Sequence, residues 1–263
     1  MKKFIVLTVI LSLTAFVQAA IPTAGLQLYL DASSLTGYNT GDSVTTWVDL
    51  AGGDNSAVST GTPTYIANAL NGKAAIKIAG SSDRNGYGLT SEYDYYAIPT
   101  VSNVQTLALV FKPTSNTYYT WSTIMSGPTS DNYGMHGDTH WGNAYWDYAY
   151  SIDSLANSAL RVNGGAAING GYTGVDYDNF SIITIQLAAG TQFDLGFLAH
   201  TARYNNYNEY GMEVAELLVY NQQLSNSQLN QLTMELGDKY GIAVPEPITI
   251  ALMGLGACLL RRK

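Results

Sequence analysis

Charge and sulfur are both scarce in this 263-residue chain. Only 12% of its residues are Asp, Glu, Lys or Arg, and its one cysteine is Cys258. A lone cysteine excludes an internal disulfide and a thiolate metal site, so stability has to come from the core and from hydrogen bonds. Cations are the scarcer charge, with 12 Lys and Arg against 20 Asp and Glu. Between residues 21 and 244 the counts are 7 and 19, a net charge of −12. A surface of that sign repels nucleic acid and anionic lipid, which leaves no nucleic-acid partner and makes neutral glycans or metal cations the natural ones. Catalytic signatures are missing as well. There is no Gly-x-Ser-x-Gly elbow, no His-Glu-x-x-His helix and no EF-hand loop.

Long hydrophobic runs are also lacking, and the two short ones lie at the ends. Lys2 and Lys3 precede an apolar stretch from Phe4 to Val17, followed by Gln18-Ala19-Ala20. This is the pattern of a secretory signal peptide over residues 1–19, with Val17 and Ala19 at the recognition positions of signal peptidase. The second run, Ile248–Leu260, has 13 residues. As a helix it reaches roughly 20 Å against a hydrocarbon core of about 30 Å, too short for a permanent anchor. Arg261, Arg262 and Lys263 favour the cytoplasmic side, which suits a transient stop in the inner membrane.

Pro245, Glu246 and Pro247, the apolar run and the Arg-Arg-Lys end together resemble the PEP-CTERM sorting signal. The resemblance covers residues 244–263 and implies processing by an exosortase-type membrane protease. It implies export to the outer envelope or extracellular matrix of a Gram-negative bacterium that makes extracellular polysaccharide.

Residues 20–243 read as one domain. Alternating apolar residues predict strands almost throughout. In GLQLYLDA they place Leu26, Leu28 and Leu30 on one face; in TLALVFKP, Leu107, Leu109 and Phe111 oppose Ala108 and Val110. QFDLGFLAH groups Phe193, Leu195 and Phe197, and VAELLVYN groups Ala215, Leu217 and Val219. One helix is expected near the end, where Ser225 and Gln228 form a capping box and Leu224 and Leu229 a staple. Leu229, Leu232, Leu236 and Tyr240 give its apolar stripe, and Gly241 its left-handed stop. Many strands and one late helix predict an all-β sandwich of two antiparallel sheets with a C-terminal packing helix.

Three stretches, residues 25–52, 106–113 and 214–242, resemble the LamG-like, concanavalin A-like jelly-roll domain. Asp31, Gly41-Asp42 and Trp47-Val48-Asp49 match its opening, and Ala215 to Asn221 its final strand. The likeness is weak from about residue 114 to 178, and that region is dense in aromatics: nine between residues 118 and 150. Stacking on sugar rings is the function expected of those that are exposed, and the candidate ligand-binding residues are Trp121, Tyr133, Trp141, Asn143, Tyr145 and Trp146. A second belt, HTARYNNYNEYG, adds Tyr204 and Tyr207.

Calcium is the metal expected if there is one, through Asp131, Asp138 and Asp147 in loop-rich surroundings. His136 and His140, with Asp138 between them, are a weaker transition-metal candidate. The glucanases of the resembled superfamily carry Glu-x-Asp-x-Glu or its one-residue-longer form on a strand, and neither occurs here. Glu213 and Glu216 are three apart, so on a regular strand they face opposite sides and cannot share a cleft wall. The expectation is a noncatalytic carbohydrate-binding module whose partner is a polysaccharide or glycan. The alternative is a structural matrix or adhesion protein that binds other proteins, with a glycoside-active enzyme behind both.

Overall fold

The computed structural model describes residues 21–80, 94–114, 122–128, 135–138, 145–147, 159–169, 178–188, 193–199 and 211–245. Their order is β1 (Leu26–Asp31), a one-turn 3-10 helix (Ala32–Ser34), β2 (Thr46–Trp47), β3 (Ala57–Thr60), β4 (Thr64–Leu70) and β5 (Lys73–Ile78). Then come β6 (Tyr95–Val104), β7 (Thr106–Pro113), β8 (Ser122–Ser126), β9 (Met135–Asp138) and β10 (Tyr145–Asp147). The last elements are β11 (Ala159–Val162), β12 (Ile168–Asn169), β13 (Ser181–Gln186), β14 (Phe193–Leu198), β15 (Met212–Tyr220) and helix α1 (Asn226–Tyr240).

These strands form two antiparallel sheets. One runs β12-β11-β13-β7-β15-β5-β4, with β1 paired to β15 as its eighth strand; the other runs β10-β9-β8-β14-β6-β3-β2. The all-β sandwich with one C-terminal helix is therefore the fold. β1 and β5 follow one another along the same edge of β15: β5 meets Met212–Val214, and β1 meets Glu216–Tyr220. The main core lies between the sheets and includes Leu28, Leu30, Trp47, Tyr96, Leu107, Leu109, Phe111, Leu217 and Val219. A second core lies between the outer face of the eight-stranded sheet and α1, with Ala108, Val110, Leu218, Leu229, Leu232, Leu236 and Tyr240. The two faces of β7 are thus divided as the alternation of TLALVFKP requires.

Helix α1 forms where its local signals place it. The Ser225 side chain accepts from the Gln228 N–H, the Gln228 side chain answers to the Ser225 N–H, and Gly241 ends the helix at φ 68°. Full burial of each stripe leucine contributes about 1.5–3 kcal/mol, so this packing outweighs the local propensities.

Three expectations of face are corrected, each by a bulge. In β1 the register shifts between Leu26 and Leu28, so Leu26 packs on the helix side while Leu28 and Leu30 enter the main core. In β15 one extra residue between Val214 and Glu216 turns Ala215 to the helix side, away from Leu217 and Val219. The same bulge puts Glu213 and Glu216 on one face of the sheet, where a regular strand would have opposed them. In β14 the register shifts on both sides of Leu195, so Phe193, Leu195 and Leu198 point inward and Phe197 does not.

Candidate functional site

The residues that carry the jelly-roll resemblance are occupied in holding the chain. Asp49 accepts the N–H groups of Tyr29 and Ala51 on one carboxylate oxygen, both at 2.9 Å. Asp42 accepts from the Asn39 N–H at 2.7 Å, closing the turn before β2. Trp47 is fully buried and meets Tyr96 edge-on at 5.8 Å, while the Tyr96 hydroxyl donates to the Val44 carbonyl at 2.7 Å. Asp94, which the sequence did not single out, is also buried; its two oxygens accept from Thr62 N–H and Ala79 N–H.

A polar cluster lies beneath the last turn of α1. Asp31 and Glu216 are direct cross-strand neighbours on β1 and β15. Lys239 lies between them, its Nζ 2.7 Å from Asp31 Oδ2 and 2.5 Å from Glu216 Oε2. The Tyr240 hydroxyl donates to the same Glu216 oxygen at 2.6 Å. Burial pushes the Glu216 carboxyl above its ordinary value; the attraction and hydrogen bond of Lys239, and then the Tyr240 bond, oppose this less strongly. Tyr29, Tyr220 and Tyr240 are all pushed up, first by burial and then by the Glu216 charge. Glu213, farther along the same face, is held by Lys112 at 3.0 Å, and that ammonium also lies 5.3 Å from the centre of the Phe180 ring. Each glutamate of β15 therefore has its own cation.

The outer face of the seven-stranded sheet differs. Register aligns Val58, Ala97, Phe197 and Ser126 in a row across β3, β6, β14 and β8. Ser126 is buried, Ala97 and Phe197 are half-buried, and Val58 is 53% exposed. Beside this row, Tyr95 meets Phe197 edge-on with ring centres 6.1 Å apart at 70°. The sequence reading missed both rings. Tyr95 stands next to Tyr96 with nothing local to say which is core, and Phe197 reaches this face only through the β14 bulge.

Of the sequence-derived ligand residues, Trp121, Tyr133, Trp141, Asn143, Tyr204 and Tyr207 lie outside the described residues, as do Asp131, His140, Glu246 and Pro247. Tyr145, Trp146 and Asp147 form β10, the edge strand of the seven-stranded sheet, and Asp138 ends β9. The pairing sets Tyr145 opposite Asp138, Trp146 opposite Gly137 and Asp147 opposite His136. Among the described residues no group of three or more His, Cys, Asp or Glu is placed to hold a metal.

Connectivity relates the two aromatic belts. The Ala199 N–H donates to the Ile124 carbonyl, and Leu198 pairs with Met125 on one side and Tyr96 on the other. The segment ending at Trp121 and the one starting at His200 are therefore joined to the sheet at the same end, the end that carries Tyr95 and Phe197.

At the C-terminus, Pro245 is exposed at the margin of the folded body. Residues 243–263 carry a PEP-CTERM protein-sorting motif. The motif implicates an exosortase-type export pathway and supports an exported, surface destination. No curated protein matches the chain. Among solved structures it is similar to Trypanosoma rangeli sialidase in complex with sialic acid, at 14% identity and a TM-score of 0.41, covering 84% of this chain and 34% of that one. It is also similar to the binding domain of botulinum neurotoxin DC in complex with SialylT, at 13% identity and a TM-score of 0.43, covering 81% and 52%. The chain thus spans between a third and about half of these structures' length. Likenesses of this size carry no ligand, residue or activity to this chain.

Proposed function

We propose that the exported body is a noncatalytic carbohydrate-binding module of the LamG-like, concanavalin A-like kind, acting at the envelope or in extracellular polysaccharide. The observation that carries this reading is the Tyr95–Phe197 pair on the outer sheet face, at the end where both aromatic belts attach. A partly buried aromatic platform with an edge in solvent suits the apolar C–H face of a sugar ring, and polar groups around it would fix orientation. In this reading Trp121, Tyr133, Trp141, Asn143, Tyr145, Trp146, Tyr204 and Tyr207 extend the platform. Calcium, held by Asp131, Asp138 and Asp147, would order the loops beside it. The absence of catalysis is supported by Glu213 and Glu216, which are committed to Lys112 and Lys239 on the opposite sheet.

A second reading, a matrix or adhesion protein that binds other proteins, draws on Val48, Leu50 and Val58, all exposed along the β2–β3 margin. A glycan array on the mature protein, in EDTA and in millimolar calcium, separates the two. Binding of a defined neutral glycan that Tyr95→Ala and Phe197→Ala abolish is the expected result. A blank array under both conditions removes the carbohydrate reading, and a melting temperature indifferent to calcium removes the metal.

A further inference from the structure

The chain remains attached to the body after its last helix ends. Beyond Gly241, the Ile242 N–H donates to the Gly237 carbonyl at 3.0 Å, and Ile242 and Val244 pack against the core beneath α1. Two glycines make the seat. A Cβ on Gly237, within α1, would lie 2.6 Å from Val244 Cγ2, and one on Gly164, in the turn after β11, would lie 2.7 Å from Val244 Cγ1. Thr233 lines the same spot from the helix. The next residue, Pro245, is exposed and is the first of the sorting triplet, so no linker separates the seat from the motif.

This arrangement limits where the triplet can go. Ile248 follows Val244 by four residues, a reach of about 14 Å at full extension. While Val244 is seated, the apolar segment therefore begins within that distance of the folded body. A membrane-embedded protease has to take peptide in an extended form around its cleavage point, because main-chain hydrogen bonds to an added strand supply much of such binding. Here the residues on the body side are held in a packed seat. The body's charge of −12 also opposes close approach to an anionic lipid surface, which acts to draw Val244 out.

We infer that the seat built by Gly164, Gly237 and Thr233 gates processing: Val244 has to leave it before an exosortase-type protease can engage the triplet, so the folded body delays its own release from the membrane. The inference rests on the sorting motif being used, and the test separates the two. Gly237→Ala lies outside the matched motif and favours the helix, yet its methyl group would lie 2.6 Å from Val244 Cγ2 and 2.9 Å from the Ile242 carbonyl oxygen, so the seated segment has to move. A Gly-Ser-Gly insertion between Ile242 and Ala243 displaces Val244 without altering either the motif or the helix. Precursor half-life is followed by pulse-chase in the producing bacterium, with Glu246→Ala as the control that disables the triplet. Both body variants should be processed several-fold faster than the wild type, and Glu246→Ala should block processing in every background. Processing that needs the triplet but is unchanged or slower in both variants overturns the gate alone. Processing that ignores the triplet overturns the sorting reading and the gate with it. If Gly237→Ala fails to fold, the insertion variant alone decides.

Discussion

The two sheets have opposite fates at their outer faces. On the eight-stranded sheet, α1 covers the face, and even its charged residues are enclosed: Asp31, Glu216, Lys239 and Tyr240 are bonded together beneath the helix, with Glu216 Oε1 buried and left without a hydrogen bond. On the seven-stranded sheet, no described helix covers the face, and its row of Val58, Ala97 and Phe197 retains contact with solvent. Chemistry alone would mislead here. The acidic pair that would draw attention as a reactive site is bonded to Lys239 and Tyr240, whereas the plainer hydrophobic row is the one on which the proposed function rests. Titratable clusters mark function only where they are accessible, and buried ion pairs serve the fold as readily.

The largest test of that division is Lys239→Met. It leaves Asp31 and Glu216 directly opposed with no cation between them, so stability should fall by about 3–5 kcal/mol in urea denaturation while glycan binding by the folded fraction is unchanged. Next is Leu232→Ala, which opens a cavity under α1 and should cost about 2–5 kcal/mol, read by thermal melting. Equal loss of sugar binding in either variant would erase the distinction between the faces.

A pH series sharpens it further. Because burial raises the Glu216 carboxyl above 4.5, the folded state keeps its proton to higher pH than the unfolded chain does. Over that window the folded state binds more protons, so the contribution of Glu216 to stability falls as pH rises. The stability difference between wild type and Glu216→Gln should therefore shift against the wild type from pH 4.5 upward. A flat difference would mean that Lys239 fully offsets the burial.

The smallest stability effects belong to the open face. Tyr95→Ala and Phe197→Ala each remove the edge-on contact between these two rings, about 0.5–1.5 kcal/mol beyond the area they cover, yet they should abolish binding to the glycan the array identifies. If both melt normally and bind at full strength, the platform lies on the belts instead.

Legibility in the sequence followed the range of the interactions. The cap, staple, stripe and stop of α1 all lie within 18 residues, from Leu224 to Gly241, and could be read there completely. Alternation in β7 survived because that strand is regular, flanked by β13 and β15. It failed for Leu26, Ala215, Glu216 and Phe197, since a bulge is a mismatch in count between two strands and one strand alone does not contain it. The site was less legible still. Tyr95 became visible only once β3 and β14 were placed beside β6, and of the eight ligand residues chosen from the sequence, only Tyr145 and Trp146 fall within the described backbone.

The pairing of β1 with β15 has a kinetic side. Leu28 finds its partner Val219 about 190 residues later in the chain, and β7 also needs β15 to complete its edge. Nothing synthesised early can close the eight-stranded sheet until nearly the whole body has emerged. The first strand therefore stays unmatched until the last one is made. That delay leaves strand edges open for most of synthesis, the condition under which chains pair with one another. Truncation before β15 should accordingly yield aggregation or degradation after export, never a smaller folded domain.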